Sequence, residues 1–123
     1  MAKFQELGYS VVRSAGSGVN SISPDIIVIK DGVGFSFECK AWDKSSLNIE
    51  PDKHKVLVDW QRNTRMHTFI AWRMNNMGWF FIKPEEMNQN EKSFTVTKKQ
   101  AVSINRLFGD LINLAAIPNS NNP

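Results

Sequence analysis

The sequence predicts an α/β domain in which a central mixed β-sheet is flanked by helices. Runs of β-branched and aromatic residues predict two pairs of strands, at 26–29 with 35–37 and at 67–74 with 78–83. Between the two pairs, a helical pattern begins at Pro51, a residue type favoured in the first turn of a helix. Strand pairs separated by helices are typical of this fold class.

Length and composition narrow the class of protein further. The 123 residues suffice for one domain with a hydrophobic core, which we expect over residues 1–117, with a disordered tail at 118–123. The chain has no apolar run of membrane-spanning length and no basic-then-apolar leader, so we expect no membrane association. The lone Cys39 has no partner for an internal disulfide, which is typical of the cytoplasm. A net charge of +3 permits a polyanionic partner.

The first part of the chain predicts a short helix, a strand and a loop. Residues 2–7 have the pattern of a helix that stops at Gly8, and residues 9–13 predict a strand. Residues 14–23 are small and polar, which predicts a flexible loop. This loop either is a mobile connection or uses its exposed amides and the Ser17 hydroxyl to bind a phosphate group.

The first strand pair brings three charged side chains onto one face. Asp31-Gly32 is a strong two-residue turn signal, and such a turn places Asp25 directly opposite Glu38. A four-residue turn pairs Asp25 with Lys40 instead. Because side chains alternate along a strand, both turns keep the three side chains on the same face.

These residue types predict a metal site. The carboxylates of Asp25 and Glu38 and the backbone carbonyl of Cys39 are oxygen ligands of the kind that Mg²⁺ prefers. A bound metal polarises a phosphoryl oxygen and activates water, and Lys40 is placed to orient that water. The alternative is a solvated surface hairpin with a charge pair across its strands, and the three charged residues alone leave both interpretations open.

The pattern Pro24-Asp25, twelve residues, then Glu38-Cys39-Lys40 resembles the signature of the PD-(D/E)XK nuclease superfamily. Upstream, residues 11–18 (Val-Val-Arg-Ser-Ala-Gly-Ser-Gly) are similar to a stretch of the archaeal-type Holliday junction resolvases, and order and spacing fit that family over residues 6–115. The resemblance implies a restriction-endonuclease-like nuclease core. It also implies a homodimeric endonuclease, dependent on Mg²⁺ with Mn²⁺ as a substitute, that resolves four-way junction DNA in the cytoplasm.

The resemblance implies roles for individual residues. Asp25 and Glu38 would hold the metal, Lys40 would act in catalysis, and Ser17 would be a catalytic residue that contacts the phosphate. Residues expected to contact DNA are Arg13, Gly16, Ser17, Gly18, Lys44, Lys53 and Arg62.

The chain departs from the resembled pattern in two places. The family carries a glutamate in its first helix, several turns before the glycine that matches Gly8; this position would precede Met1, so the chain either starts late or lacks one acidic group. In addition, Lys53 stands where superfamily members commonly have a glutamine, which leaves the role of Lys53 open.

Aromatic residues of the second strand pair predict a subunit interface, because one small sheet does not need so many inside. The residues concerned are Phe69, Trp72, Trp79 and Phe81. Residues 41–50 are expected to leave the sheet, residues 94–97 to form a short strand, and residues 102–114 to form a single amphipathic helix.

Two other functions remain open at this stage. One is a PD-(D/E)XK nuclease that acts on ordinary duplex or flapped DNA. The other is a junction-binding protein without catalytic activity, an interpretation that the missing acidic group supports. Cleavage of a four-way junction, compared with a duplex and tested for metal dependence, distinguishes the three.

Overall fold

The computed structural model describes residues 2–14 and 22–116. Along the chain the elements are α1 (Ala2–Glu6), β1 (Ser10–Arg13), β2 (Ile26–Lys30), β3 (Val33–Ala41), β4 (Ser46–Ile49), α2 (Pro51–Thr64), β5 (His67–Met74), β6 (Gly78–Ile82), a 3₁₀ turn (Pro84–Glu86), β7 (Asn88–Gln89), β8 (Phe94–Thr97), α3 (Lys98–Ile104) and α4 (Phe108–Ala116). The predicted tail at 118–123 lies outside the described residues.

Five strands form the central sheet in the order β1-β2-β3-β5-β6. The pairs β1–β2, β2–β3 and β5–β6 are antiparallel, whereas β3 and β5 are parallel. A parallel pair requires a crossover connection, and here α2 lies within that connection. The sheet is therefore mixed and flanked by helices, as the sequence predicts, and β3 is its middle strand.

The turn between β2 and β3 has the two-residue form. Asp31 (φ 51°) and Gly32 (φ 78°) both have positive φ, as a type I′ turn requires. Ile26 consequently pairs with Phe37, and Lys30 with Val33. This register confirms the first of the two predicted turns and excludes the four-residue turn.

Each face of the central sheet carries its own hydrophobic cluster. The phenylalanine-rich cluster lies on the face covered by α1 and α4 and is centred on Phe4, Phe35, Phe37, Phe69 and Phe81. The other cluster joins α2 and α3 to a small second sheet of order β4-β8-β7. That second sheet was not predicted. Residues 46–49 form a strand because Leu47 and Ile49 alternate into the core, with exposed fractions of 0% and 3%.

The prediction of one helix over 102–114 is wrong, because the helical pattern is broken in the middle. Asn105 adopts a left-handed conformation (φ 52°), and its N–H donates to the carbonyl of Ala101, which ends α3. The N–H of Leu107 then donates to Asp110 at 2.8 Å, just before α4 begins. The start of α3 is fixed by a capping box between Thr97 and Gln100.

The expected aromatic interface is also wrong in its residues. Phe69, Trp72 and Phe81 are buried within the chain itself, and Trp79 is half-buried against the phenylalanine-rich cluster. These side chains are buried because helices or the second sheet cover both faces of the central sheet.

In the described residues, no helix is long and apolar enough to cross a membrane.

Candidate active site

The two predicted acidic residues, Asp25 and Glu38, lie at one end of the hairpin formed by β2 and β3. Asp25 directly precedes β2, and Glu38 lies in β3, one step beyond the pair formed by Ile26 and Phe37. Because Phe35 and Phe37 point into the phenylalanine-rich cluster, strand alternation turns Glu38 and Lys40 to the opposite face, toward α2.

Glu38 is a buried carboxylate, with an exposed fraction of only 5%. Its Oε1 lies 3.2 Å from Nζ of Lys53, and its Oε2 lies 3.8 Å from Nζ of Lys40. Burial raises the pKa of Glu38 above its ordinary value, and the negative charge of Asp25 raises it further; Lys53 and Lys40 offset these effects only in part. The Glu38 carboxylate therefore lies, with little solvent around it, beside one negative and two positive side chains.

Asp25 is held by the backbone of the neighbouring strand. Its Oδ2 accepts a hydrogen bond of 3.0 Å from the N–H of Cys39, and its own carbonyl accepts one of 2.8 Å from the N–H of Ser14. The carboxylate thus spans the gap between the start of β2 and the end of β3. This contact brings Asp25 and Glu38 together without a direct hydrogen bond between them.

Cys39 contributes its backbone to this arrangement. The side chain packs against the phenylalanine-rich cluster, and burial, followed by the charges of Asp25 and Glu38, raises the pKa of the thiol to about 11. The thiol is therefore protonated at neutral pH. The N–H and C=O of one strand residue point to the same side, so the Cys39 carbonyl faces the side where Asp25 lies.

Lys53 extends from the first turn of α2 into the site. Besides its contact with Glu38, its Nζ donates a hydrogen bond of 3.0 Å to the carbonyl of Ser23. The sequence analysis grouped Lys53 with the residues expected to contact DNA and did not predict its contact with Glu38. The signal that could have found it was the replacement of a glutamine that superfamily members carry near the site.

The other predicted DNA contacts have different surroundings. Arg13 is exposed at the end of β1, and its positive charge acts on the Cys39 thiol, which places it near the site. Nζ of Lys44 lies 4.9 Å from the ring centroid of Trp42, just beyond β3. Arg62 is exposed on α2 and pairs with Asp59 at 2.7 Å. Gly16, Ser17 and Gly18 lie outside the described residues.

The donor set fits a hard divalent cation. The charges of Asp25 and Glu38 act on each other, and the Cys39 carbonyl faces the Asp25 side; oxygen ligands of this kind suit Mg²⁺, which keeps several of its waters. Over residues 2–14 and 22–116, no group of three or more His, Cys, Asp or Glu side chains is placed to hold a metal ion. Burial and the neighbouring charge of Asp25 raise the pKa of Glu38, and a bound cation would favour its ionised form.

A mixed five-stranded sheet flanked by helices, with two carboxylates and a lysine at the end of the β2–β3 hairpin, has a restriction-endonuclease-like fold. A family model described as archaeal Holliday junction resolvase (Hjc) matches residues 1–115. The chain therefore belongs to the Hjc family of archaeal Holliday junction resolvases, a family of nucleases.

A solved structure supports the same fold. The 1.6 Å structure of Archaeoglobus fulgidus Hjc, described as a Holliday junction resolvase from an archaeal hyperthermophile, superimposes with a TM-score of 0.74. The two sequences are 21% identical, and the match covers 83% of this chain and 85% of the other. A search of curated proteins gave no match.

Proposed function

We propose that this chain is a homodimeric, Mg²⁺-dependent endonuclease that resolves four-way DNA junctions by paired phosphodiester hydrolysis in the cytoplasm. The observation that carries the proposal is the convergence of Asp25, Glu38 and Lys40 at the end of the central hairpin in a chain of the Hjc family. The proposed extent of the nuclease domain is residues 1–117.

In this proposal, Asp25, Glu38 and the carbonyl of Cys39 hold the metal. When bound, Mg²⁺ would supply a Lewis acid that polarises the scissile phosphoryl group and lowers the pKa of water. Mn²⁺ would serve in its place, since it accepts the same oxygen ligands.

Lys40 has the exposure that a catalytic lysine needs. About a third of its side chain is exposed (32%), whereas the Glu38 carboxylate beside it is almost fully covered (6%). The Lys40 ammonium can therefore reach an incoming phosphate and water while remaining next to Glu38. Its positive charge would stabilise negative charge that develops on the phosphate in the transition state.

The remaining assignments concern DNA contacts. We assign the catalytic phosphate contact to the Ser17 hydroxyl, with Gly16 and Gly18 offering backbone amides. The positive charges of Arg13, Lys44 and Arg62 would follow the phosphate backbone. Contacts of this kind recognise the shape and charge of the junction and not its base sequence.

The direct experiment compares cleavage of a labelled four-way junction with cleavage of a duplex and a flap of the same sequence. We expect Mg²⁺-dependent cutting of the junction, and no cutting in EDTA or by Glu38→Gln. Equal cutting of all three substrates would support a nuclease of broader substrate range. Tight junction binding without cutting in Mg²⁺ or in Mn²⁺ would support a junction-binding protein without catalytic activity.

The homodimer is tested by mixing subunits. A four-way junction has an approximate two-fold axis, and a C2 dimer presents two identical sites in the matching relation. A mixed dimer of one parental and one Glu38→Gln subunit should bind the junction normally and nick a single strand. Paired cuts by the mixed dimer, or a monomer in sedimentation at DNA-binding concentrations, would contradict the dimeric mechanism.

A further inference from the structure

Lys53 connects three segments of the site through one ammonium group. It lies in the first turn of α2, and its Nζ is 3.2 Å from Oε1 of Glu38 in β3. The same Nζ donates a hydrogen bond of 3.0 Å to the carbonyl of Ser23, two residues before Asp25. The helix, the central strand and the approach to Asp25 are therefore joined at this point.

Lys53 is also the better shielded of the two cations beside Glu38. The exposed fraction of its side chain is 20%, against 32% for Lys40, and its distance to the carboxylate is shorter, 3.2 Å against 3.8 Å. Because solvent screens exposed charges more strongly, Lys53 provides the larger share of the compensation for the Glu38 carboxylate.

We propose that Lys53 is an internal counter-cation of the Asp25–Glu38 pair and that it competes with the metal for Oε1 of Glu38. The inference rests on the proposed function only in taking Asp25 and Glu38 as the metal ligands. In the metal-free protein, the ammonium keeps the carboxylates and the Ser23 backbone in position. A dication that binds Oε1 of Glu38 must displace the ammonium from that oxygen, so Lys53 weakens metal binding.

This role and a merely structural role predict opposite effects. If Lys53 only braced α2 against β3, its removal would loosen the ligands and weaken metal binding. If it is a counter-cation, the removal of its charge leaves Glu38 with Lys40, which is farther away and more exposed, and metal binding becomes tighter. The sign of the change in metal affinity therefore decides between them.

The test measures the binding of Mn²⁺ alone, without DNA, to the full chain by electron paramagnetic resonance of the free ion. Lys53→Met removes the charge and keeps the stem, and we expect its Kd for Mn²⁺ to fall about tenfold or more, since neutralising a neighbouring cation is worth at least that factor. Lys53→Arg keeps the charge and should bind Mn²⁺ within about threefold of the parental protein.

Lys55→Met is the matched control. Lys55 lies on the same helix, but its ammonium pairs with Asp59 at 2.6 Å and its side chain is 74% exposed. Its replacement should leave the Kd for Mn²⁺ unchanged. Lys53→Gln retains a donor for the Ser23 carbonyl and tests the same charge effect if Lys53→Met fails to fold.

Unchanged or weaker Mn²⁺ binding in the neutral Lys53 variants would overturn the inference, as would a failure of both parental and variant proteins to bind Mn²⁺. Junction cleavage is measured separately. A parental protein that cuts junctions while its neutral Lys53 variants show no gain in Mn²⁺ affinity would defeat this inference alone. Tighter Mn²⁺ binding by the variants of a protein that cuts no junction would defeat the proposed function alone.

Discussion

Replacement of Glu38 by glutamine separates the chemistry of the site from the stability of the fold. Glutamine keeps the length and planarity of the side chain and removes its negative charge from a position that is 95% buried, given an exposed fraction of 5%. The pKa of Glu38 is raised by burial first and by Asp25 second, so the folded protein disfavours the ionised form.

The magnitude follows from the distances. At an effective dielectric constant of about 20, the separations of 3.2 Å to Lys53 and 3.8 Å to Lys40 correspond to attractions of about 5 and about 4 kcal/mol. Since the net pKa is nevertheless raised, burial and Asp25 together outweigh both attractions.

The sign of the stability change follows by linkage. A carboxyl whose pKa is raised in the folded state makes the fold less stable as pH rises from its unfolded pKa through its folded pKa. We therefore expect Glu38→Gln to leave the free energy of unfolding at pH 7 unchanged or to raise it.

Two measurements on the same protein check this prediction. Urea unfolding at pH 7 in EDTA gives the stability, and single-turnover cleavage of a four-way junction in Mg²⁺ gives the rate, which we expect to fall ~10³-fold or more with a ligand charge lost. A loss of more than ~1 kcal/mol in stability would show that the carboxylate supports the fold. Cleavage at the parental rate would refute the site itself.

Three further predictions concern other residues. Lys40→Ala should slow single-turnover cleavage ~10²-fold with unchanged junction binding, and an unchanged rate would exclude a role in the transition state. Ser17→Ala should slow cleavage less, about tenfold, because the proposed phosphate contacts of the loop amides would be kept; a larger loss than in Lys40→Ala would reverse the two roles. Burial raises the pKa of Glu86, but the hydrogen bond from Arg106, the bond from the Lys83 backbone and their charges lower it overall. Stability from Glu86 should therefore be present above its unfolded pKa and fade as pH falls through the lower folded value, and thermal unfolding between pH 7 and 3 should show a smaller decline in Glu86→Gln.

The hairpin was predictable because its information is local. Asp31-Gly32 specifies the turn, the turn specifies the register, and alternation then puts Glu38 and Lys40 on the face opposite Phe35 and Phe37. A few adjacent residues thus determine which face of the sheet carries Glu38 and Lys40, and the structure agrees with this prediction.

The contacts between distant segments were not predictable in the same way. Lys53 meets Glu38 only because the α2 crossover returns over β3. Apart from the lysine that replaces the superfamily glutamine, no pattern in residues 51–64 indicates that contact. The second sheet likewise depends on pairing of Ser46–Ile49 with Phe94–Thr97, which are far apart in the chain.

The break after Ile104 was missed for a different reason. The apolar spacing continues across it, so periodicity alone favours one helix. Two local signals outweigh the apolar periodicity. Asn105 tolerates positive φ and ends α3, and Asp110 accepts a hydrogen bond from the N–H of Leu107 at the start of α4.

The strand that carries Glu38, β3, is stabilised by apolar side chains on the opposite face of the sheet. Phe37 is fully buried, and its ring centroid lies 5.5 Å from that of Phe4 and 5.5 Å from that of Phe81. Burial of one such side chain stabilises the fold by about 2 to 3 kcal/mol. Two such residues in β3, Phe35 and Phe37, offset the unfavourable burial of one carboxylate beside another. Because apolar burial does not depend on what occupies the opposite face, β3 can hold Glu38 in an electrostatically unfavourable position.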